Sequence, residues 1–167
     1  FLAITSRGLI EPLAAELKDL KFKSVTPKPD GVVVECSWAE MQRLHHQTRL
    51  ATRVLLPVAD FLAYNEEDLY YGVLRKHDFT QYIDVNQTFR IEAKVREHPK
   101  LRDQRFVAMK IKDAVADQFR KKFERRPDVG DEESADLRIV ARVVGPNKVS
   151  LAVDLTGDSL SNRGYRR

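Results

Sequence analysis

The chain has 167 residues and a formal net charge of +4, with 43% hydrophobic and 32% charged residues. These values are typical of a globular protein that buries about 70% of its unfolded surface in one domain or two small ones. No apolar run approaches the ~20 residues of a membrane-spanning helix, so we expect no membrane partner. The single cysteine, Cys36, excludes an intrachain disulfide, which is typical of a reducing compartment, so we expect a cytoplasmic protein.

The first sixty residues predict a small domain with the element order β-α-β-β-α-β. Strands are expected in "FLAITS", "KFKSVTPKP", "GVVVECS" and "ATRVLLPVADF", and helices in "GLIEPLAAELKDL" and "WAEMQRLHHQT". The first helix should begin near Gly8, because Pro12 is best tolerated in a first turn. A turn at Asp30-Gly31 should join the second and third strands. This order is that of a split βαβ, ferredoxin-like unit.

From Asn65 onward a second α+β pattern begins. Helices are predicted in "EEDLYYGVLRK" and "RFVAMKIKDAVADQFRKKF", with an irregular segment "DFTQYIDVN" between the first of them and the next strand. Strands are predicted in "FRIEAKV", "LRIVARVV" and "KVSLAVDLT", and the last two should form a hairpin across "GPN". Alternation places Phe89, Ile91, Ala93 and Val95 on one face of their strand. The predicted fold class is therefore α+β.

The long helix of this second pattern has an apolar stripe and a charged face. The stripe is predicted to contain Ala108, Ile111, Val115, Phe119 and Phe123. Charges on the opposite face should neutralise one another at (i, i+4) spacing, and they are Lys110, Asp113, Asp117 and Lys121. The net positive charge is therefore expected at the two ends of the helix.

Positive charge is concentrated in residues 90–126, which contain 13 Lys/Arg and 6 Asp/Glu. This segment carries a net charge of +7, so the rest of the chain carries −3. Such a cluster indicates a polyanionic partner, with nucleic acid favoured over a membrane surface. The alternative is a solvated helix face that has no partner.

The sequence contains no motif for catalysis or for cofactor binding. Its seven glycines lie far apart, so no glycine-rich loop is available to hold a phosphate or a nucleotide cofactor. His45 and His46 are adjacent and would point about 100° apart on a helix, which argues against a metal site. We therefore expect no catalytic residue, cofactor or metal in this chain.

Three segments together resemble a THUMP domain: "RFVAMKIKDAVADQF", "PDVGDEESADLRIVARVV" and "VSLAVDLTGDSLSNRGYR". More narrowly, they resemble the THUMP region of bacterial large-subunit ribosomal RNA guanine-N2 methyltransferases. "SRGLIEPLAAEL" resembles that family's first β-α unit, and "HHQTRLATRVLLPVADF" resembles its passage into THUMP. The resemblance covers essentially the whole chain, and its most specific parts are "AMKIKDAVAD" and "DLTGDSLSNRGYR".

This resemblance implies a ferredoxin-like domain over residues 1–60 and an α/β THUMP domain over residues 61–157. Residues 158–167 would be a linker toward a methyltransferase domain that binds S-adenosylmethionine. The family's Asn-Pro-Pro-Tyr-like catalytic motif is absent, since no two prolines of this sequence are adjacent. The chain is thus expected to be the substrate-binding front of a longer enzyme. Its expected partners are structured RNA, in particular large-subunit rRNA, and its own C-terminal methyltransferase domain.

Cationic residues of the second pattern are the candidate RNA contacts that fit this resemblance. Arg102, Gln104 and Arg105 lie in or beside the loop before the long helix, where side chains and free backbone N–H groups can meet phosphate together. The further candidates are Lys110, Lys112, Arg120, Lys121, Lys122, Arg125, Arg126, Arg163 and Arg166, with Tyr165 as a base-stacking residue. The other tyrosines considered, expected in the core or at a domain interface, are Tyr64, Tyr70, Tyr71 and Tyr82. Two alternatives are an ion pair of Lys110 with Asp113 and a domain-linker contact of Arg163.

Two other interpretations of the whole chain remain open. The first is the THUMP module of a tRNA-modifying enzyme, because 4-thiouridine synthetases and some tRNA methyltransferases share the domain. The second is a protein-interaction domain that does not bind RNA. The resemblance of the first sixty residues to the rRNA enzymes favours rRNA over tRNA, and an absence of RNA binding would favour the protein-interaction domain.

Overall fold

The computed structural model describes residues 1–131 and 134–162 and divides into two compact units. The first unit comprises Phe1–Leu56 and the described residues from Asp154 onward, and the second comprises Pro57–Val153. None of the helices within the described ranges is long and apolar enough to cross a bilayer.

The first unit confirms the predicted ferredoxin-like order. Its strands are β1 (Leu2–Ile4), β2 (Ser24–Lys28), β3 (Gly31–Glu35) and the start of β4 (Arg53–Leu62), and its helices are α1 (Ile10–Asp19) and α2 (Trp38–Gln47). The strands lie in the order β2-β3-β1-β4, and each neighbouring pair is antiparallel. Helix α1 begins two residues later than predicted, and Pro12 lies in its first turn as expected.

A carboxylate on α1 holds the segment that leads from α2 into β4. Glu16 accepts hydrogen bonds from the Thr48 hydroxyl at 2.8 Å, from the Arg49 amide at 2.8 Å and from the Leu50 amide at 3.3 Å. The Thr48 hydroxyl oxygen in turn accepts from the Ala51 amide at 3.1 Å. This segment is therefore held through its backbone donors, which would otherwise be left unpaired beside the core.

The second unit contains the long helix and a four-stranded sheet. After the end of β4 come α3 (Glu66–Lys76), a short 3-10 turn (Phe79–Gln81), β5 (Thr88–Arg96), α4 (Gln104–Phe123), β6 (Asp128–Val129), β7 (Leu137–Val144) and β8 (Lys148–Asp154). The four strands lie in the order β8-β7-β5-β6, with β5 parallel to β6 and β7, and β7 antiparallel to β8. The predicted hairpin across "GPN" is confirmed.

One face of this sheet is packed into the core, and the residues that alternate with it on the other face are mostly polar or charged. Phe89 and Ala93 of β5 are buried. The residues of β7 and β8 that share this face are also buried: Leu137, Ile139, Ala141, Val143, Val149, Leu151 and Val153. Helix α4 packs against α3 and against β5. The predicted apolar face of β5 is therefore the face that the helices cover.

The apolar stripe of α4 departs from its prediction at one end. Ile111, Val115 and Phe119 are buried as predicted, whereas Phe123 is 44% exposed and Ala108 is half-buried. Successive steps of four residues advance by about 400°, so each step turns about 40° away from the starting face. By Phe123 this drift has carried the stripe out of the core.

A buried glutamine takes the place of an apolar residue on the inner face of α4. Gln118 is 9% exposed, and its amide nitrogen donates to the carbonyl oxygens of Val73, Leu74 and His77 at 2.7–3.2 Å. Its side-chain oxygen accepts from the Phe79 amide at 3.0 Å. Two of these carbonyls belong to the last turn of α3, where helix carbonyls have no intrahelical partner. Gln118 therefore caps α3 and orders the 3-10 turn behind it.

We predict that Gln118→Met lowers the free energy of unfolding by roughly 2–4 kcal/mol, because methionine fills a similar volume but leaves several buried backbone groups unpaired. Urea denaturation followed by circular dichroism measures the change. The control is Gln104→Met on the exposed first turn of the same helix, which should change stability by less than about 0.5 kcal/mol. Equal stability of wild type and Gln118→Met would show that the buried amide is not needed.

Candidate nucleic-acid interface

The beginning of α4 is already capped by the protein itself. The Asp103 carboxylate accepts from the amide of Arg105 at 2.8 Å and from that of Phe106 at 3.4 Å. The amides expected to be free for phosphate are thus occupied at these two positions, and the cap adds a negative charge. The side chains of Arg102, Gln104 and Arg105 are exposed. At this end of α4, any anion would therefore be met by side chains rather than by those amides.

A buried histidine fixes the loop in front of α4. The His98 ring accepts at Nδ1 from the amides of Lys100 (3.2 Å) and Leu101 (2.8 Å), so its proton resides on Nε2 and is donated to the Ala63 carbonyl at 2.9 Å. Arg102 folds back on the same loop, donating from Nε to the Pro99 carbonyl at 3.0 Å. The candidate Arg102 therefore projects from an ordered loop.

The candidates in the middle of α4 are engaged in ion pairs. The Lys110 ammonium lies 3.2 Å from the Glu66 carboxylate of α3, and the Lys112 ammonium lies 3.2 Å from the Asp113 carboxylate. The alternative ion pair of Lys110 with Asp113 is therefore not formed, because Lys110 pairs with Glu66. Both lysines are half-buried, so we rank them below the ends of the helix as contacts for an outside anion.

Asp117 also departs from the predicted charge pairing on α4. Its carboxylate accepts from the Tyr70 hydroxyl of α3 at 2.6 Å and from the Arg120 guanidinium at 2.8 Å. The bond from Tyr70, followed by that from Arg120, holds the pKa of Asp117 below its usual range. The same bond raises the pKa of Tyr70 to about 12. Charges on α4 are therefore satisfied partly across to α3, through Glu66 and Tyr70, and partly within the helix, through the Asp117–Arg120 pair.

The carboxyl end of α4 carries the densest group of exposed cations. Lys122 donates to the Thr80 hydroxyl at 2.8 Å and lies 3.5 Å from the Asp78 carboxylate. Lys121, Arg125 and Arg126 are exposed, and among residues 1–131 and 134–162 none of the three has an ion pair. Cations at this end are favourable to the helix dipole, and these three remain available to an anionic partner.

A groove of about 560 Å³ lies beside these cations. It is lined by Leu74, Arg75, His77, Asp78, Thr80, Gln118, Lys121 and Lys122. The Arg75 guanidinium lies over the Tyr71 ring, 4.9 Å from its centroid. Gln118 forms part of the groove, so the amide that caps α3 also fixes the shape of this surface.

His77, which lines this groove, forms a pair with Tyr82, which lines a second groove. The rings of His77 and Tyr82 are stacked with centroids 5.6 Å apart, and His77 Nε2 lies 2.9 Å from the Tyr82 hydroxyl. Tyr82 lines the second groove, of about 350 Å³. Burial lowers the pKa of His77 and raises that of Tyr82. Hydrogen bonding to Thr80 holds the pKa of Asp78 below its usual range.

Sequence reasoning missed Arg75, His77 and Thr80 as members of this surface. Arg75 is separated from Lys121 by 46 positions, and no local pattern links them. The basic last turn of α3 was the one available signal, because helix carboxyl ends favour cations. The remaining candidates, Arg163, Tyr165 and Arg166, lie outside the described residues.

Both parts of the chain match known protein families. A THUMP domain model matches residues 63–154, and an RlmL ferredoxin-like domain model matches residues 1–55. A Synechocystis protein named as an RNA methyltransferase is 36% identical over 99% of this chain and 42% of its own length. The ribosomal RNA large subunit methyltransferase K/L of Syntrophotalea carbinolica is 34% identical over 99% of this chain and 23% of its own length. The chain thus spans less than half of either relative.

A solved structure shows the same fold. A crystal structure described as a possible methylase from Clostridium difficile 630 superposes with a TM-score of 0.83 at 23% identity, covering 99% of this chain and 43% of that one. Within residues 1–131 and 134–162, no group of three or more His, Cys, Asp and Glu side chains is placed to hold a metal ion.

The Tyr70–Asp117 hydrogen bond predicts a pH-dependent contribution to stability. The pKa of Asp117 is lowered in the folded protein, so its contribution is present above about pH 4 and is lost as the pH falls through the lowered pKa. The pKa of Tyr70 is raised to about 12, so its contribution is complete below about pH 10 and is lost as the pH rises through 12.

Tyr70→Phe should therefore lower the free energy of unfolding by about 1 kcal/mol between pH 5 and pH 9, a modest figure because the pair is partly solvated. The difference should shrink below pH 4. Urea titrations of both proteins at several pH values measure it, with Tyr64→Phe at an exposed position as the control. A difference that persists unchanged at pH 3 would contradict the assignment.

Proposed function

Because the chain belongs to the family of THUMP-domain proteins, we propose that it is the RNA-binding, substrate-recognition module of an S-adenosylmethionine-dependent rRNA guanine-N2 methyltransferase. The observation that carries the proposal is the cluster of exposed cations at the end of α4 beside an ordered groove. Relatives named as RNA methyltransferases support it, as does the sequence resemblance to the guanine-N2 enzymes.

We propose a separate role for each of three parts of the chain. The ferredoxin-like domain, residues 1–60, and the THUMP domain, residues 61–157, bind RNA together and present a base to a methyltransferase domain. Residues 158–167 link THUMP to that domain, which holds the methyl donor. Large-subunit rRNA as the substrate places this activity in the cytoplasm.

Phosphate contacts supply most of the proposed affinity. Arg125 and Arg126 offer planar guanidinium groups that suit phosphate oxygens, and Lys121 adds a point charge at the groove. Phosphate contacts position an RNA without reading its sequence. Recognition by this module therefore depends on the shape of the RNA, as is usual for structured RNA.

Aromatic rings at the grooves are few and already engaged. Tyr82 and His77 stack on each other. Phe123 is exposed, and its ring centroid lies 6.1 Å from that of Phe119. A base that reaches the second groove would stack on Phe123, which lines that groove, a contact of about 1–3 kcal/mol per base. Stacking is thus a secondary contribution in this proposal.

The test is binding of the 167-residue chain to a large-subunit rRNA hairpin and to tRNA across a salt series. We expect the hairpin to bind with a log–log slope of about −3 to −4, which corresponds to roughly 4 to 6 phosphate contacts. Lys121→Gln/Arg125→Gln/Arg126→Gln should make the slope less steep by about 2 and weaken binding about tenfold or more at moderate salt. Arg102→Ala/Arg105→Ala tests the other end of α4 in the same way.

The charge-matched comparison is Lys18→Gln/Lys23→Gln/Lys28→Gln, which removes three exposed cations from the ferredoxin-like domain. It should weaken binding less than the variant at the end of α4, because we propose that most phosphate contacts lie at that end. Preference for tRNA over the hairpin would assign the module to a tRNA-modifying enzyme instead. Absence of binding to either RNA at low salt would overturn the RNA-binding function and favour a protein-interaction domain.

A further inference from the structure

The second groove lies beside the 3-10 turn that follows α3. Its volume is about 350 Å³, at the lower end of the range for small-molecule sites. Lys121 and Lys122 line the groove of about 560 Å³ instead of this one. The size of the second groove suits one planar ring rather than a larger ligand. Its lining combines aromatic, aliphatic and polar side chains, among them Tyr82, Phe123, Ile83, Val85, Gln81 and Asp84.

Two aromatic rings line this groove without contacting each other. The Tyr82 ring is stacked on His77, with an interplanar angle of 23°. The Phe123 ring lies beside that of Phe119, and the Phe123 side chain is 44% exposed. Among the described residues, no ring contact joins Tyr82 to Phe123. Each ring therefore retains surface on which a planar group in the groove can stack.

Two side chains at this groove keep a hydrogen-bond acceptor without a partner. Gln81 donates from Nε2 to the Asp78 carbonyl at 2.8 Å and to His77 Nε2 at 3.2 Å. Asp84 accepts at Oδ1 from the backbone and side-chain nitrogens of Asn86 at 3.0 Å and 3.1 Å. In the part of the chain that the structure describes, Gln81 Oε1 and Asp84 Oδ2 accept no hydrogen bond. A planar group bound here would be favoured by donors on its edge.

Charge distinguishes the groove from the helix end beside it. The Asp84 carboxylate would repel a phosphate inside the groove. Cations flank the Phe123 ring instead: the Lys122 ammonium lies 5.5 Å from its centroid, and the exposed Arg125 and Arg126 follow shortly after it. A nucleotide fits this arrangement, because its uncharged ring can enter the groove while its phosphate stays outside, near the cations.

We propose that the second groove is a nucleobase-binding site, which stacks one unpaired base of the RNA on Tyr82 and Phe123 and favours a base that carries an amino group. Such an amino group donates to Asp84 Oδ2 and Gln81 Oε1, whereas uracil presents a carbonyl oxygen at the same position. The base must be unpaired, because the edge of a paired base is already engaged. This proposal rests on the proposed RNA-binding function and adds the reading of one base to the phosphate contacts at the end of α4.

The first test compares binding of the 167-residue chain to a cytosine and to a uracil oligoribonucleotide of roughly eight nucleotides, a length within the usual site sizes for single strands. The two bases have rings of the same size, and cytosine carries an amino donor where uracil carries a carbonyl acceptor. We expect the cytosine oligonucleotide to bind about threefold to tenfold more tightly, which is the effect of one additional hydrogen bond.

Asp84→Asn tests the selection of the base. The asparagine oxygen can still accept from Asn86, but the second carboxylate oxygen is replaced by an amide donor. The preference for cytosine should therefore disappear or reverse in favour of uracil. The charge-matched control is Glu67→Gln in the exposed first turn of α3. It should leave the ratio of the two affinities unchanged.

Phe123→Leu tests the stacking contact. It should weaken binding of both oligonucleotides about fivefold or more, because leucine offers no ring on which a base can stack. The matched control is Tyr64→Leu, which removes a ring that is 57% exposed and lines neither groove, and it should bind as wild type. Unchanged unfolding by urea verifies that each variant keeps its fold.

The outcomes separate this proposal from the function on which it rests. Equal affinity of wild type for the two oligonucleotides, or an unchanged ratio in Asp84→Asn, would overturn the selection of the base. Undiminished binding by Phe123→Leu, or an equal loss in Tyr64→Leu, would overturn the second groove as the site. If wild type binds the rRNA hairpin but neither oligonucleotide, the groove does not hold an unpaired base, while the RNA-binding function stands. Absence of binding to the hairpin and to both oligonucleotides at low salt would overturn that function and this proposal together.

Discussion

The parallel register of β5 and β7 determines which side chains of the second unit share a surface. Parallel neighbours cannot be joined by a tight turn, so α4 crosses over between them and covers one face of the sheet. The other face is left to the residues that alternate with the buried ones. A one-residue change of register would move the arginines of β7 into the core, so burial of Ile139 and Ala141 fixes the position of the cations.

Polar side chains fix the segments around this frame. Gln118 caps α3 from within the core, and His98 joins the loop before α4 to the end of β4. Each is buried with its hydrogen-bonding groups satisfied, which is the condition under which polar groups are tolerated inside a protein. The groove and the Arg102 loop are therefore ordered by the same residues that hold the unit together.

Much of the fold could be predicted because its signals are local. Alternation in "FRIEAKV" and "LRIVARVV" gave the strands and their apolar faces, and apolar spacing gave the helices. The sequence predicted net positive charge at the ends of α4, and the cations at its carboxyl end are exposed. Phe123 was wrongly assigned to the core because steps of four residues drift around a helix. The pairings of Lys110 with Glu66 and of Asp117 with Tyr70 join two helices, and no spacing within one helix indicates them.

The amino-acid sequence by itself determined the elements, their apolar faces, the excess of positive charge in residues 90–126 and the resemblance to THUMP proteins. These features depend on near neighbours along the chain. Only the tertiary structure decided that Arg90 and Arg138 lie side by side, that Arg75 and Lys121 line one groove, and that Asp103 occupies the first amides of α4. The physical reason is that strand order and helix packing are set by burial of the whole core, which brings together charges that are about fifty residues apart.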